Sequence, residues 1–111
     1  MKKIAAVFGS SSARCFESLI TNTSVYAGST AKGLNNLNSQ SKANKNIRLK
    51  LKSLQKGTNV IFLFGGVDMN FIINYNHNLN DQFNFEKYII KCSVKYINFI
   101  KKNTNHFNVL I

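Results

Sequence analysis

The length, composition and charge of the chain restrict it to one small basic domain. Its 111 residues are 44% hydrophobic, which is enough for a folded core but small for a complete doubly wound fold. The formal net charge of +11 raises nucleic acid as a partner, yet the dense basic cluster at 42–56 has no aromatic residue interleaved for base stacking. We therefore expect a single domain over residues 1–111 and disfavour nucleic acid as its partner.

Cysteine spacing and the N-terminal residues indicate the compartment. Cys15 and Cys92 are too far apart for a metal-ligand motif and do not form a disulfide framework. The apolar run that follows Met1 ends at Gly9, which is too short for a signal-peptide core or a membrane span. The sequence therefore predicts a cytoplasmic protein that contacts no membrane and uses no metal and no cofactor.

The first element is predicted to be a strand that ends in a polar turn. Residues 4–8 form a continuous apolar run, typical of a strand buried on both faces, and Gly9 and three serines follow it. A helix is predicted next, over 13–20, with Ser11 or Ser12 as its cap. Because such a turn collects free backbone N–H groups, it can hold an oxyanion, bind a phosphate or simply cap the helix.

The middle of the chain repeats this design. A short strand is predicted at 25–27, and Gly28 starts the turn after it. A basic amphipathic helix is predicted over 41–55, with its charged face interpreted as solvated surface, and a second apolar strand follows at 59–64. Asp68 lies in the glycine turn after that strand, where two roles remain open: lining a site, or capping the segment that follows.

The C-terminal part supplies a long helix and a fourth strand. The helix is predicted over 83–101 with Asp81 as its cap, and the strand at 107–111. Strands that alternate with helices predict a parallel α/β sheet with right-handed crossovers. Because the fourth strand starts so late, we expect the domain to stop early, either as a minimal version of the fold or as a fragment truncated after this strand. Its exposed sheet edge favours a homo-oligomer or a partner chain.

The three polar turns together resemble the sequence blocks of a known superfamily. They begin at Gly9, Gly28 and Gly65 and contain GSSS, GST and GGVD, which in this order and spacing resemble the first three blocks of SGNH/GDSL hydrolases. Residues 27–36 together with the third turn are similar to uncharacterised SGNH-like proteins of bacteria and viruses, some of them found beside polysaccharide-building enzymes. The resemblance covers residues 4–102.

The resemblance implies a fold and a site. The fold is a flavodoxin-like three-layer sandwich with a short parallel sheet, and the substrate is a small-molecule or carbohydrate ester cleaved or transferred by an esterase or acyltransferase. Ser11 matches the catalytic nucleophile, and Gly28 matches the glycine whose N–H joins that of Ser11 in the oxyanion hole. Ser10, Arg14 and Asp68 are expected to line the site, where Arg14 could reach an anionic ligand although a solvated arginine is favoured.

Three departures from the superfamily pattern lower the expected activity. Ser10 stands where an aspartate is usual, Val67 stands where an asparagine donates to the oxyanion, and no Asp-x-x-His motif supplies a base. His77 and His106 carry no motif and are interpreted as surface histidines. Since a serine without a base is a poor nucleophile, we expect a weak or inactive ester hydrolase or acyltransferase. A non-catalytic phosphate- or sugar-binding module is the second hypothesis, and a basic nucleic-acid-binding protein is the third.

Overall fold

The computed structural model describes residues 4–35, 42–66, 68 and 84–111. Its strands are β1 (Ile4–Gly9), β2 (Thr23–Val25), β3 (Asn59–Leu63) and β4 (Asn108–Leu110). Its helices are two 3-10 helices, η1 (Ser11–Phe16) and η2 (Lys32–Asn35), and two α-helices, α1 (Ala43–Lys52) and α2 (Phe85–Asn103).

The four strands form one parallel sheet in the order β2-β1-β3-β4. The predicted α/β class with parallel strands is therefore confirmed, whereas the three-layer flavodoxin-like arrangement stays a prediction. The chain leaves β1 for one neighbour, β2, and later reaches its other neighbour, β3. In open α/β sheets, ligands bind outside the carboxyl ends of the strands at such a switch in strand order.

The core lies between the sheet and the two α-helices. Phe8 of β1 and Phe62 of β3 are fully buried, with ring centroids 5.4 Å apart, and Phe99 of α2 packs into the same cluster. Ile47 and Leu51 of α1 join it, as their helical spacing predicts. Side chains alternate along a strand, so Val7 is buried on the opposite face of the sheet from Phe8.

The element after β1 differs from the prediction. The expected helix over 13–20 is the six-residue 3-10 helix η1, and its N-cap position is Ser10, which makes no capping side-chain bond, rather than Ser11 or Ser12. Only Ala13 of η1 is buried. A short helix gains its stability mainly from packing, so a segment with one buried side chain does not extend into a regular α-helix.

The remaining boundaries shift by a few residues. The long helix α2 is capped by Asn84, whose Oδ1 accepts a hydrogen bond from Lys87 N at 3.0 Å, rather than by Asp81, which lies outside the described residues. Asparagine and aspartate are equally good N-caps. The short strand predicted at 25–27 is β2, which ends at Val25.

Two predictions concern the surroundings of the protein: a partner at a sheet edge, and no contact with a membrane. Among the described strands, β2 and β4 are the outer ones, and a homo-oligomer or partner chain at such an edge stays a prediction. Neither described α-helix is both long and apolar enough to pass through a membrane.

Candidate functional site

The turns after the first three strands meet at the carboxyl edge of the sheet. Gly9 at the end of β1 lies opposite Val25 of β2 and Leu63 of β3. Two hydrogen bonds extend this pairing past the strands: Tyr26 N donates to Gly9 O at 2.8 Å, and Ser10 N donates to Leu63 O at 3.1 Å. The turn after β1 is therefore fixed on both sides by its neighbours.

Ser11 and Gly28 lie in two adjacent turns of this edge. Each follows one partner of the Gly9–Tyr26 hydrogen bond by two residues. Both residues are exposed, and among the described residues neither backbone N–H has a hydrogen-bond acceptor. Gly28 has φ +77°, a conformation that favours glycine, and a Cβ there would meet nothing within 4 Å. The turn after β2 thus needs glycine for its backbone angle and not for space.

Ser10 and Arg14, two of the expected lining residues, have different surroundings. Ser10 is buried, with 2% of its surface exposed. Arg14 is exposed, and its Nη1 lies 3.6 Å from Glu17 Oε1 on the surface of η1. Exposed ion pairs of this kind contribute little to stability. The contact involves a neighbour along the chain, as expected for a solvated arginine.

Asp68 connects the turn after β3 to the segment after β2. It is buried, and its two carboxylate oxygens accept hydrogen bonds from Ala31 N at 2.7 Å and Lys32 N at 3.3 Å. These two N–H groups stand at the start of η2, where a carboxylate acts as a cap. Of the two roles left open for Asp68, capping of the segment from 69 onward lies outside the described residues.

Beside Asp68 lies a cavity of about 210 Å³ at the carboxyl end of β3. Its walls are mostly apolar, and its polar groups come from Asp68 and from α2. The residues around it are Ala31, Phe64, Gly65, Asp68, Ile89, Cys92, Ser93 and Tyr96. Ser11, Gly28 and Arg14 are not among them. The carboxyl edge therefore offers two separate features: the exposed turn at Ser11 and this cavity.

The cavity holds a carboxylate among protonated hydrogen-bond donors. Burial raises the pKa of Tyr96 to about 12, and the negative charge of Asp68 adds to the effect. Burial likewise raises the pKa of Tyr88, which is not part of the cavity lining, to about 12, with further contributions from Cys92 and Asp68. Burial, followed by the charge of Asp68, also raises the pKa of the Cys92 thiol. At neutral pH Cys92 is therefore a thiol donor and not a nucleophilic thiolate.

Two contacts hold the helix α2 in place at and beside this cavity. The Tyr96 hydroxyl accepts a hydrogen bond from Phe64 N at 3.2 Å, and a hydroxyl that accepts can still donate its proton. The Lys32 ammonium lies 5.0 Å from the centroid of the Tyr88 ring, a cation–π distance. The helix α2 is thereby tied to the ends of both β3 and the segment after β2.

The structure describes one of the two histidines, His106. His106 is exposed in the loop before β4, and its carbonyl accepts from Gly57 N at 2.6 Å. Because β4 starts opposite Asn59, the first residue of β3, His106 lies at the amino edge of the sheet, across from Ser11. His77 and Val67 lie outside the described residues. No described histidine is therefore a base for Ser11.

Part of this site was missed by sequence reasoning. Cys92 and Tyr96 have the helical spacing of a buried stripe, and both are buried, but a stripe does not show that they border a cavity. The available signal was polarity, because Cys92 and Tyr96 each place a hydrogen-bonding group within an otherwise apolar stripe.

The comparisons with known proteins found no relative: no protein-family model, no curated protein and no solved structure matches the chain. Membership of the SGNH/GDSL superfamily therefore stays a prediction from the sequence. Within the described ranges, no three His, Cys, Asp or Glu side chains gather in a way that could hold a metal ion.

Proposed function

We propose that this chain is an SGNH-like ester hydrolase or acyltransferase domain of low activity, acting on a small-molecule or carbohydrate ester. One observation carries the proposal. Ser11 and Gly28 belong to adjacent turns at the end of the central strand β1, and both backbone N–H groups lack an acceptor in the described part of the chain. Such a pair of donors next to a serine hydroxyl suits an oxyanion.

The proposed reaction starts with attack of Ser11 Oγ on the ester carbonyl carbon. As that bond forms, the carbonyl oxygen becomes an oxyanion, which the N–H groups of Ser11 and Gly28 stabilise. The bond between the carbonyl carbon and the alcohol oxygen then breaks, and the alcohol takes a proton from solvent. Either water or a second alcohol next takes the acyl group from Ser11, which regains a proton while the attacking group gives one to solvent. Solvent water must accept the serine proton, since no described side chain is a base for it, and a missing base typically costs about 10²–10⁴ in rate.

The experiment is a comparison of rates with an activated ester, p-nitrophenyl acetate. The purified parent chain should hydrolyse it slowly, and Ser11→Ala should reduce the rate to background. Ser12→Ala is the matched control, because Ser12 is also exposed in the same turn but is not the proposed nucleophile. Equal rates for the parent and Ser11→Ala would show that the turn does no chemistry.

The histidines provide a second arm of the same experiment. His106→Ala should leave the rate unchanged, because His106 lies at the opposite edge of the sheet from Ser11. His77→Ala tests whether a base is recruited from outside the described residues. Fast turnover that depends on Ser11 and on one of the histidines would overturn the assignment of low activity.

The cavity beside Asp68 favours a second candidate, a non-catalytic sugar-binding module. Apolar walls with a few converging polar groups are typical of small-molecule sites, and a carboxylate with hydroxyl and thiol donors can pair with sugar hydroxyls. A phosphate suits this cavity less well, because the Asp68 carboxylate would repel it.

Two variants separate the candidates. In calorimetric titrations with an acetylated monosaccharide, Tyr96→Phe should abolish binding in the cavity while Ser11→Ala should not change it. The opposite pattern would assign the sugar to the turn at Ser11, as the hydrolase proposal expects.

A further inference from the structure

A second concave surface lies at the amino edge of the sheet, away from both features of the carboxyl edge. It has a volume of about 360 Å³, and five basic side chains line it together with Leu51, Leu54, Asn103 and the Phe107 ring. The basic residues are Arg48, Lys52, Lys56, Lys102 and His106. We call this surface the basic concavity. Its residues come from α1, the turn after α1, the end of α2 and the loop before β4.

The fold itself brings these residues together. In a parallel sheet the connecting helices run opposite to the strands, so α1 and α2 both end at the amino edge. Lys52 is the last residue of α1, and Lys102 lies in the last turn of α2. The sequence cluster at 42–56 therefore gains two further basic groups, Lys102 and His106, that lie some fifty residues later in the chain.

Backbone hydrogen bonds fix the two loops of the basic concavity against each other. Gly57 N donates to His106 O at 2.6 Å, and Asn108 N donates to Thr58 O at 2.9 Å. Asn108 Nδ2 adds a bond to Gly57 O at 3.0 Å. Lys56 and His106 are thus neighbours because of main-chain bonds, before any ligand is present.

Arg48 is also held in position. Its Nε donates to Asn44 Oδ1 at 2.8 Å, one turn earlier on α1. A guanidinium has five N–H donors in a fixed plane, so this bond orients the group and leaves its terminal nitrogens for another acceptor. Such a fork matches the oxygens of a phosphate.

No acidic residue of the described chain balances these charges. Glu17 is next to Arg14, and Asp68 is buried at the other edge of the sheet. Glu86 is in the first turn of α2, about 24 Å from Lys102 at the usual helical rise per residue. Among the described residues, no ion pair involves a cation of the basic concavity.

The helix dipoles explain only part of this arrangement. A cation near a helix C-terminus is stabilised by the negative end of the dipole, which accounts for Lys52 and Lys102. Arg48 lies in the middle of α1, and Lys56 and His106 lie outside the helices. Like charges around one concave surface repel each other, so an anion in the basic concavity would relieve an unfavourable interaction.

We propose that the basic concavity binds an oligophosphate, meaning a ligand that carries two or more linked phosphate groups. Several cations spread around one concave surface suit charges that are themselves spread along a ligand, while a single phosphate would meet only some of them. The linked phosphates belong to a free oligophosphate or to the backbone of a single-stranded nucleic acid. The proposal is independent of the ester chemistry at Ser11.

The test is a calorimetric titration of the full chain with sodium triphosphate, and with inorganic phosphate for comparison. Triphosphate should bind more tightly than phosphate. Lys52→Ala/Lys102→Ala should weaken triphosphate binding by about tenfold or more, because two charge-assisted contacts are lost. All the substituted lysines are exposed, so circular dichroism should show an unchanged fold.

The matched control is Lys87→Ala/Lys91→Ala, which removes the same charge from exposed lysines near the other end of α2. It should change triphosphate affinity by less than about twofold, since distant surface charges are screened. Equal losses in the two double variants, or no binding of triphosphate by the parent chain, would overturn the proposal.

An oligothymidylate, followed by fluorescence anisotropy, distinguishes the two sources of phosphate. If the natural ligand is nucleic acid, the oligonucleotide should bind more tightly than triphosphate, and triphosphate should displace it. If it is a free oligophosphate, the oligonucleotide should bind more weakly than triphosphate. Oligonucleotide binding that Lys52→Ala/Lys102→Ala leaves unchanged would contradict the proposal for this surface.

Discussion

The two edges of the sheet are built in different ways. The carboxyl edge is made of backbone turns and buried side chains: Gly9 and Tyr26 fix two turns together, and Asp68 joins a third to the start of η2. The amino edge carries its functional groups on long, solvated side chains such as Lys52 and Lys102. Substitutions at the carboxyl edge should therefore change the stability of the fold, whereas substitutions of the charged side chains at the amino edge should mainly change its response to salt and anions.

The largest expected effect is that of Asp68→Ala. The change removes the acceptor of two backbone N–H groups, those of Ala31 and Lys32. The N–H of Ala31 then has no partner in the buried place that the Asp68 carboxylate occupied. An unsatisfied buried group costs about 1–3 kcal/mol, more when its partner was charged, so we expect a loss of about 2–4 kcal/mol in the free energy of unfolding. Urea denaturation measures it.

Two controls sharpen this result. Asp68→Asn keeps one side-chain oxygen as an acceptor, so its loss should be smaller than that of Asp68→Ala. Lys56→Ala at the amino edge should change the free energy of unfolding by less than about 0.5 kcal/mol. Similar losses for Asp68→Ala and Lys56→Ala would remove the distinction between the two edges.

Next in size is Gly9→Ala. A Cβ at Gly9 would lie 2.6 Å from Ala13 Cβ and 2.7 Å from the backbone oxygen of Leu63, so β1 or its neighbours must move. Overpacking of this kind typically costs about 1–3 kcal/mol. Thermal unfolding should show a clear decrease in Tm.

Gly28→Ala at the carboxyl edge and Gly57→Ala at the amino edge are the two controls for Gly9→Ala. Both glycines have open space around the site of a Cβ, with φ of +77° and +84°. The cost is then only the strain of an L residue in this conformation, about 1 kcal/mol at each position. A loss at Gly28 far above that at Gly57 would mean that the turn after β2 is held by more than its backbone angle.

How much could be foreseen from the sequence depends on the range of each interaction. The strands at 4–8 and 59–64 were predicted correctly, because a continuous apolar run bounded by glycine is a local signal for a buried parallel strand. The prediction of a helix over 13–20 was wrong. The spacing of Ala13, Phe16 and Ile20 fits a helix, but of these three residues only Ala13 is fully buried. Residue spacing gives a pattern but does not show which positions find a packing partner.

The two concave surfaces show the same limit at longer range. Asp68 is predicted from its glycine turn, but Cys92 and Tyr96, which share its cavity, lie on a helix more than twenty residues later, where their spacing indicates only burial. Likewise, Lys52 and Lys56 stood out as basic, while Lys102 and His106 join them only through the parallel topology. Neither grouping has a local sequence signal.

A smaller effect is expected for Tyr96→Phe, and it should depend on pH. At neutral pH the lost acceptor of Phe64 N should cost about 1 kcal/mol. The pKa of Tyr96 is about 12 in the folded chain, above its ordinary value of about 10. The unfolded chain therefore loses this proton at a lower pH than the folded chain. The stability that Tyr96 contributes should accordingly be lost as the pH rises from about 10 to 12.

The measurement is urea denaturation of the parent and Tyr96→Phe across this alkaline range. The deficit of the variant should narrow as the pH rises, because the variant lacks the titrating hydroxyl. A deficit that stays constant would show that the hydroxyl titrates equally in the folded and unfolded chains, contrary to its burial at the carboxyl edge.

The smallest expected effect belongs to the amino edge and has the opposite sign. Lys56 lies outside the helices, so no helix dipole stabilises its charge, and it shares the basic concavity with the charged side chains of Arg48, Lys52 and Lys102. Lys56→Ala should therefore raise the thermal midpoint slightly at low ionic strength, because a repulsive interaction is removed. The gain should disappear at high salt, where interactions between exposed charges are screened. Lys91→Ala, which removes an equal charge from the exposed face of α2, should show a weaker dependence on salt.

If sodium triphosphate occupies the basic concavity, it should stabilise the parent chain more than Lys56→Ala, so that added triphosphate reverses the order of their midpoints. A midpoint that falls in Lys56→Ala at every salt concentration would instead show that Lys56 stabilises the fold by a contact of its own, and the amino edge would then resemble the carboxyl edge after all.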